Sequence, residues 1–111
     1  MTLDDLRRFG ADVDDGLRRC VDNESFYLKM VEKCINDPNI ELLGDYLRKG
    51  DAEHACECAH AVKGVASNLS LTPFRNRVAL ISDLLKEGRQ TDYIKLYYDM
   101  MECVDELRSY L

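Results

Sequence analysis

The chain predicts an all-α fold: an antiparallel up-down-up-down four-helix bundle with additional short N-terminal helices. Three observations predict it. Apolar residues recur at three- and four-residue spacing along nearly the whole sequence. No stretch alternates apolar and polar residues with the β-branched enrichment of a strand. The breaks between periodic segments are a few residues long, which makes consecutive helices antiparallel neighbours. A length of 111 residues fits one domain, residues 1–111, with a single modest core.

The punctuation justifies each element in turn. Thr2 is placed to cap a short helix that Gly10 ends, and Asp12 or Asp14 to open a second one running through Leu17 to about Val21. Asn23 caps ESFYLKMVEKCIND, whose Phe26, Met30 and Cys34, with Tyr27 and Val31, make one apolar face; Pro38 stops it. Asn39 restarts the chain for IELLGDYLRK, closed by Gly50. Asp51 caps the helix from Ala52 to about Leu69. Thr72-Pro73 marks the next start, because proline at the first helical position gives up no needed bond, and that segment ends at Gly88. Thr91 caps the last, in which Ile94, Tyr97, Met101, Val104, Leu107 and Leu111 form a stripe. There is no internal repeat, low-complexity tract or linker.

Composition narrows the function classes. Hydrophobic residues at 46% and charged residues at 32% are a globular balance. A formal charge of −6 opposes general attraction to nucleic-acid backbones or anionic lipid surfaces. The five cysteines (Cys20, Cys34, Cys56, Cys58 and Cys103) are an odd set without a regular framework, which reads as reduced thiols rather than a secreted disulfide scaffold. MTLDDLRRFG lacks the basic and apolar regions of a signal peptide, and no run approaches the ~18 apolar residues of a membrane span. The expectation is a soluble, cytoplasmic monomer.

The stretch AHAVKGVASNLSL, residues 59–71, carries the chemistry. On the helix from Ala52, the residues Ala55, Cys58, Ala59, Val62, Ala66 and Leu69 step by three and four onto one core-facing side. Glu53, Cys56, Glu57, His60, Lys63, Gly64 and Ser67 make a second series on the opposite, solvent side. His60 therefore points outward, with Lys63 one turn away at a Cβ separation of about 5–6 Å. Gly64 costs about 1 kcal/mol relative to alanine inside a helix, so something other than helix stability keeps it there. Freeing the next turn of a side chain would let a large group approach the ring. A neutral imidazole is a ready nucleophile near pH 7, and Lys63 would meet a negative charge placed on it. Taken singly, an exposed histidine, a solvated lysine and a helix glycine are ordinary surface features; it is their combination that points to chemistry.

HAVKG resembles the H-x-L-K-G core of histidine-containing phosphotransfer domains. The resemblance extends over most of the chain, from GLRRCVDNESFYLKMVEKCIND and LRKGDAEHACECAH to Ala66, Asn68 and Leu69 after the core. It implies that His60, through Nε2, takes a phosphoryl group from the aspartyl phosphate of a receiver domain and yields it to another receiver. Lys63 then balances phosphate charge, Gly64 leaves room for the docked partner, and Ser67 offers a hydrogen bond. The implied partners are response-regulator receiver domains and hybrid histidine kinases. No cofactor belongs to this chain; Mg2+ is expected on the partner receiver, and no phosphate-binding glycine loop is found, so the domain is not a kinase or an enzyme on its own. The sequence departs from the family in Ser70 where a glycine is usual, in Ile81-Ser82 for a common Leu-Glu pair, in Phe74 for a leucine and in Val62 for the leucine of the motif.

Rival readings are narrower. His54, Cys56, Cys58 and His60 have the residue types of a zinc site, but on one helix His54 pairs with Cys58 and Cys56 with His60, and the two pairs diverge by about 120° or more. A two-ligand site completed by another molecule is what remains, and no metal is assigned. A non-catalytic helical module that docks a receiver or kinase without being phosphorylated is the alternative function. The phosphoacceptor module of a chemotaxis-type kinase would have to be a separated piece, since there is no ATP-binding or dimerisation domain here. His54, beside Glu53, reads as a surface residue.

Overall fold

A computed structural model describes residues 1–111 as seven α-helices and no strand. They are α1 (Leu3–Phe9), α2 (Val13–Arg19), α3 (Glu24–Ile35), α4 (Pro38–Lys49), α5 (Ala52–Asn68), α6 (Thr72–Lys86) and α7 (Tyr93–Ser109). The expected caps explain most of the boundaries. Thr2 and Asp5 form a reciprocal capping box on α1, and Gly10 ends it in the left-handed conformation, φ 107°. Asp12, Asn23 and Asp51 each accept the backbone N–H three residues on, and Gly50 closes α4 at φ 74°.

Four boundaries differ from expectation. α4 begins at Pro38, with Asp37 as its cap, because proline at the first helical position has no N–H to lose. The same rule does not hold at Pro73, which is second in α6 behind Thr72, with Leu71 at the cap and no side-chain bond. Asp92 rather than Thr91 caps α7, its carboxylate accepting from the Lys95 N–H. α2 stops at Arg19, and the connection that follows carries Val21 and Asp22 at φ 58° and 54°.

α5 makes its most extensive contacts with α6 and α4, α6 packs on α7, and α7 returns to α4; α3 lies against α5 and α7, α2 lies on α3, and α1 touches α2 and α7. One continuous core runs through all seven helices, including Leu6, Val31, Ile35, Leu43, Phe74 and Leu107. Every residue expected on the apolar face of α5, from Ala55 to Leu69, is buried. On α3 the buried set is Tyr27, Val31, Cys34 and Ile35, whereas Phe26 is left 46% exposed. Leu111 likewise falls outside the α7 core and is exposed, and Met100 and Cys103 join the buried stripe.

Two tyrosines tie the helices by the same device. Tyr27 of α3 lies across Gly16 of α2 and donates its hydroxyl to the Leu69 carbonyl at the end of α5, 2.8 Å away. Burial pushes that phenol up to about 12, so it stays a donor at all ordinary pH. Tyr97 of α7 lies across Gly44 of α4 and donates to the Ile40 carbonyl at 3.0 Å. The absent side chains are required: a Cβ on Gly16 would stand 2.5 Å from the Tyr27 oxygen, and one on Gly44 2.6 Å from the Tyr97 ring.

The turn between α5 and α6 is held from outside. Ser70 adopts φ 55°, a left-handed conformation that costs a non-glycine residue roughly 1–2 kcal/mol. Its carbonyl accepts from the Asp12 N–H, and its hydroxyl donates to Asp15, so the N-terminal helices fix the shape that a glycine would take freely. Asp15 also accepts from Arg18 and Arg19, each at 2.8 Å. The Ser70 hydroxyl first, then the two guanidiniums, hold the Asp15 carboxyl well below its ordinary 3.8.

Gly16→Ala and Gly44→Ala are each expected to destabilise the fold by about 1–3 kcal/mol, the usual cost of overpacking, as read by urea unfolding. The Asp15 contribution has a definite sign. A depressed folded pKa stabilises above the unfolded value, so that stability is lost as pH falls below about 3.8 towards the folded value. Acid unfolding of the Asp15→Asn chain is expected to lack this part of the pH dependence and to start from a lower stability at neutral pH.

Candidate functional site

α5 owes its outward face to the small side chains on its inward one. Ala55, Ala59 and Ala66 are fully buried and let α4 and α6 approach closely, which leaves the opposite side of α5 uncovered. Glu53, Glu57, His60 and Gly64 are exposed there, and Cys56, Lys63 and Ser67 are half-buried at its edge. The structure thus places the four expected site residues on one helix, in the order His60, Lys63, Gly64 and Ser67. His60 and Lys63 have no hydrogen-bond or ion-pair partner within the chain, in contrast to His54.

Gly64 differs from its expected local role. A Cβ built there would meet nothing within 4 Å, the His60 ring included. Glycine therefore neither relieves crowding of the imidazole nor admits a neighbouring helix, and the space over it is open. Ser67 lies two turns beyond His60, about 10.5 Å along the axis. Helical side chains lean towards the N-terminus, so the imidazole lies over the preceding turn while Lys63 leans back towards it. Consistent with this tilt, His60 lines a shallow groove of 540 Å³ between α5 and the end of α6, together with Glu53, Cys56, Glu57, Leu85 and Lys86.

On the other flank, beyond the exposed Ala61, Gly64 and Asn68, α5 presents Val65. Val65, Phe26 and Met30 border an apolar depression between α3 and α5 that Cys20 and Leu69 complete. Sequence reasoning missed both surroundings. The apolar periodicity of α3 assigned Phe26 to the core, and the spacing does not say which side chains of α6 face His60.

The four-residue metal site does not form. No group of three or more histidine, cysteine, aspartate or glutamate side chains is placed to hold an ion. Cys58 is buried, and His54 is committed elsewhere: its Nδ1 lies 2.7 Å from Asp51, and its ring stacks on Tyr46 at 5.1 Å. The Asp51 carboxylate raises the His54 pKa above its ordinary value and at the same time caps α5. All five cysteines are free thiols, four of them buried. No helix is long and apolar enough to cross a membrane.

No family model, curated protein or solved structure matches the chain. The site stands on its own geometry: an outward imidazole on a rigid helix, a free ammonium one turn away, and an uncovered glycine beside them.

Gly64→Ala separates helix stability from contact with a partner. The substitution is expected to stabilise the chain by about 0.5–1 kcal/mol in urea unfolding, since it removes backbone freedom without a clash. The same variant is expected to bind a partner that covers His60 more weakly, as read by calorimetric titration.

Proposed function

We propose that the chain is a histidine phosphotransfer domain whose helices α4 to α7 form the antiparallel four-helix bundle of the site, with α1 to α3 packed against it. It works in the cytoplasm as a monomeric phosphocarrier between receiver domains, including those of hybrid histidine kinases. The observation that carries this reading is the unpartnered, exposed His60, with Lys63 and the uncovered Gly64 beside it on the outward face of α5. The resemblance of HAVKG to the family's core points the same way.

The chemistry follows from those groups. With its proton on Nδ1, the neutral imidazole offers the Nε2 lone pair to the phosphorus of a receiver's aspartyl phosphate. The N–P bond forms as the P–O bond to the aspartate breaks, and the carboxylate leaves with that electron pair. The ring keeps the Nδ1 proton and the phosphoryl group. A second receiver's aspartate reverses the step and regenerates neutral His60. Little covalent machinery is needed beyond positioning and charge stabilisation. Lys63 leans towards the ring to meet the phosphoryl oxygens, and the space over Gly64 admits the receiver. Ser67, two turns away, meets the docked partner rather than the phosphoryl group. Metal-assisted chemistry belongs to the receiver, so the carrier needs no nucleotide or metal site of its own.

Incubation with a phosphorylated cognate receiver tests this. Wild type is expected to acquire acid-labile, base-stable label, and His60→Gln none. Label that persists in His60→Gln overturns the assignment. Binding of the receiver without any label on wild type would establish the non-catalytic docking module instead.

A further inference from the structure

We propose that Lys86, the last residue of α6, is a second cation for the phosphoryl group carried by His60. This inference rests on the phosphocarrier reading and adds a residue to that site from a different helix.

The groove between α5 and α6 brings the two together. Ala52, the first residue of α5, and Lys86 line it together with His60, so the C-terminal turn of α6 lies beside the N-terminal half of α5. Because helical side chains lean towards the N-terminus, the imidazole extends towards this same end, away from Gly64. Lys63 approaches the ring from the other side. A phosphoryl group on Nε2 would have one ammonium from its own helix and one from the neighbouring helix.

Charge in the groove favours a second cation. Glu53 and Glu57 line it as well, so without Lys86 an incoming dianionic phosphoryl group would meet two carboxylates and no cation there. Lys86 forms no ion pair with either glutamate, and no lysine of the chain is ion-paired. Its ammonium is free to turn to the phosphoryl oxygens. The plain role of a lysine in a helix's last turn, complementing the dipole, would affect stability only.

Transfer from a phosphorylated cognate receiver to the full chain tests the proposal in wild type, Lys86→Gln, Lys86→Arg and Lys95→Gln, the last an exposed lysine on α7. Lys86→Gln is expected to lower the saturating transfer rate about three- to tenfold, with the deficit shrinking as salt rises. The half-saturating receiver concentration and the unfolding midpoint are expected to stay near wild type, and Lys86→Arg to restore most of the rate. A wild-type rate in Lys86→Gln, a loss confined to half-saturation, or an equal loss in Lys95→Gln would overturn the role of Lys86 while the phosphocarrier reading stands. Absence of label on wild type would overturn both.

Discussion

The site depends on how closely α5 can be approached from behind. Ala55, Ala59 and Ala66 give α4 and α6 a nearly smooth surface to close on, and Val62 and Leu69 complete the seal. A helix pressed into the interior along one side must turn the residues half a revolution away outward. The exposure of His60 is thus a product of packing on the far side of the same helix. A larger residue at any of these alanines would rotate or displace α5 and carry the imidazole with it.

The far end of α5 is fixed by polar contacts as well as by the burial of Ala66 and Leu69. Tyr27 takes up the Leu69 carbonyl, and Asp12 and Asp15 hold Ser70 in its left-handed turn. These bonds come from α2 and α3, so the short N-terminal helices contribute to the orientation of a helix they barely touch. At the near end, Asp51 caps α5 with one carboxylate oxygen and holds the His54 ring with the other. Each end of α5 is therefore clamped, and its middle turns carry the groups without internal partners. That contrast between satisfied ends and a free centre leaves His60 open to approach without distortion of the helix that carries it.

Much of this was legible in the sequence, for identifiable reasons. Seven helices follow from punctuation by Gly10, Asn23, Gly50 and Asp51, where a single residue's conformational or capping preference decides the boundary. The inner and outer faces of α5 follow from period alone, because its apolar series is unbroken from Ala55 to Leu69. What was not legible depends on which helices lie side by side. Phe26 shares the period of Tyr27 and Met30, yet no helix covers it. Asp37 and Asp92 displaced Asn39 and Thr91 as caps because neighbouring candidates differ by too little for sequence to rank. The groove beside His60 exists because α6 returns along α5, as the short connection implies, but which side chains line it depends on the rotation of the two helices, which no local pattern encodes. Period places Gly64 on the solvent face, but only the structure shows that a side chain there would meet nothing, the His60 ring included.

The chain contains only two histidines, one tied to Asp51 and one free, and this allows a single direct measurement of the central claim. Histidine-selective 15N labelling would resolve both rings by NMR before and after exposure to a phosphorylated cognate receiver. The account predicts that the ring nitrogens of His60 move to new positions, revert when a second receiver is added, and leave those of His54 unchanged. Unchanged His60 resonances with every cognate receiver, or a covalent change at His54 instead, would contradict it.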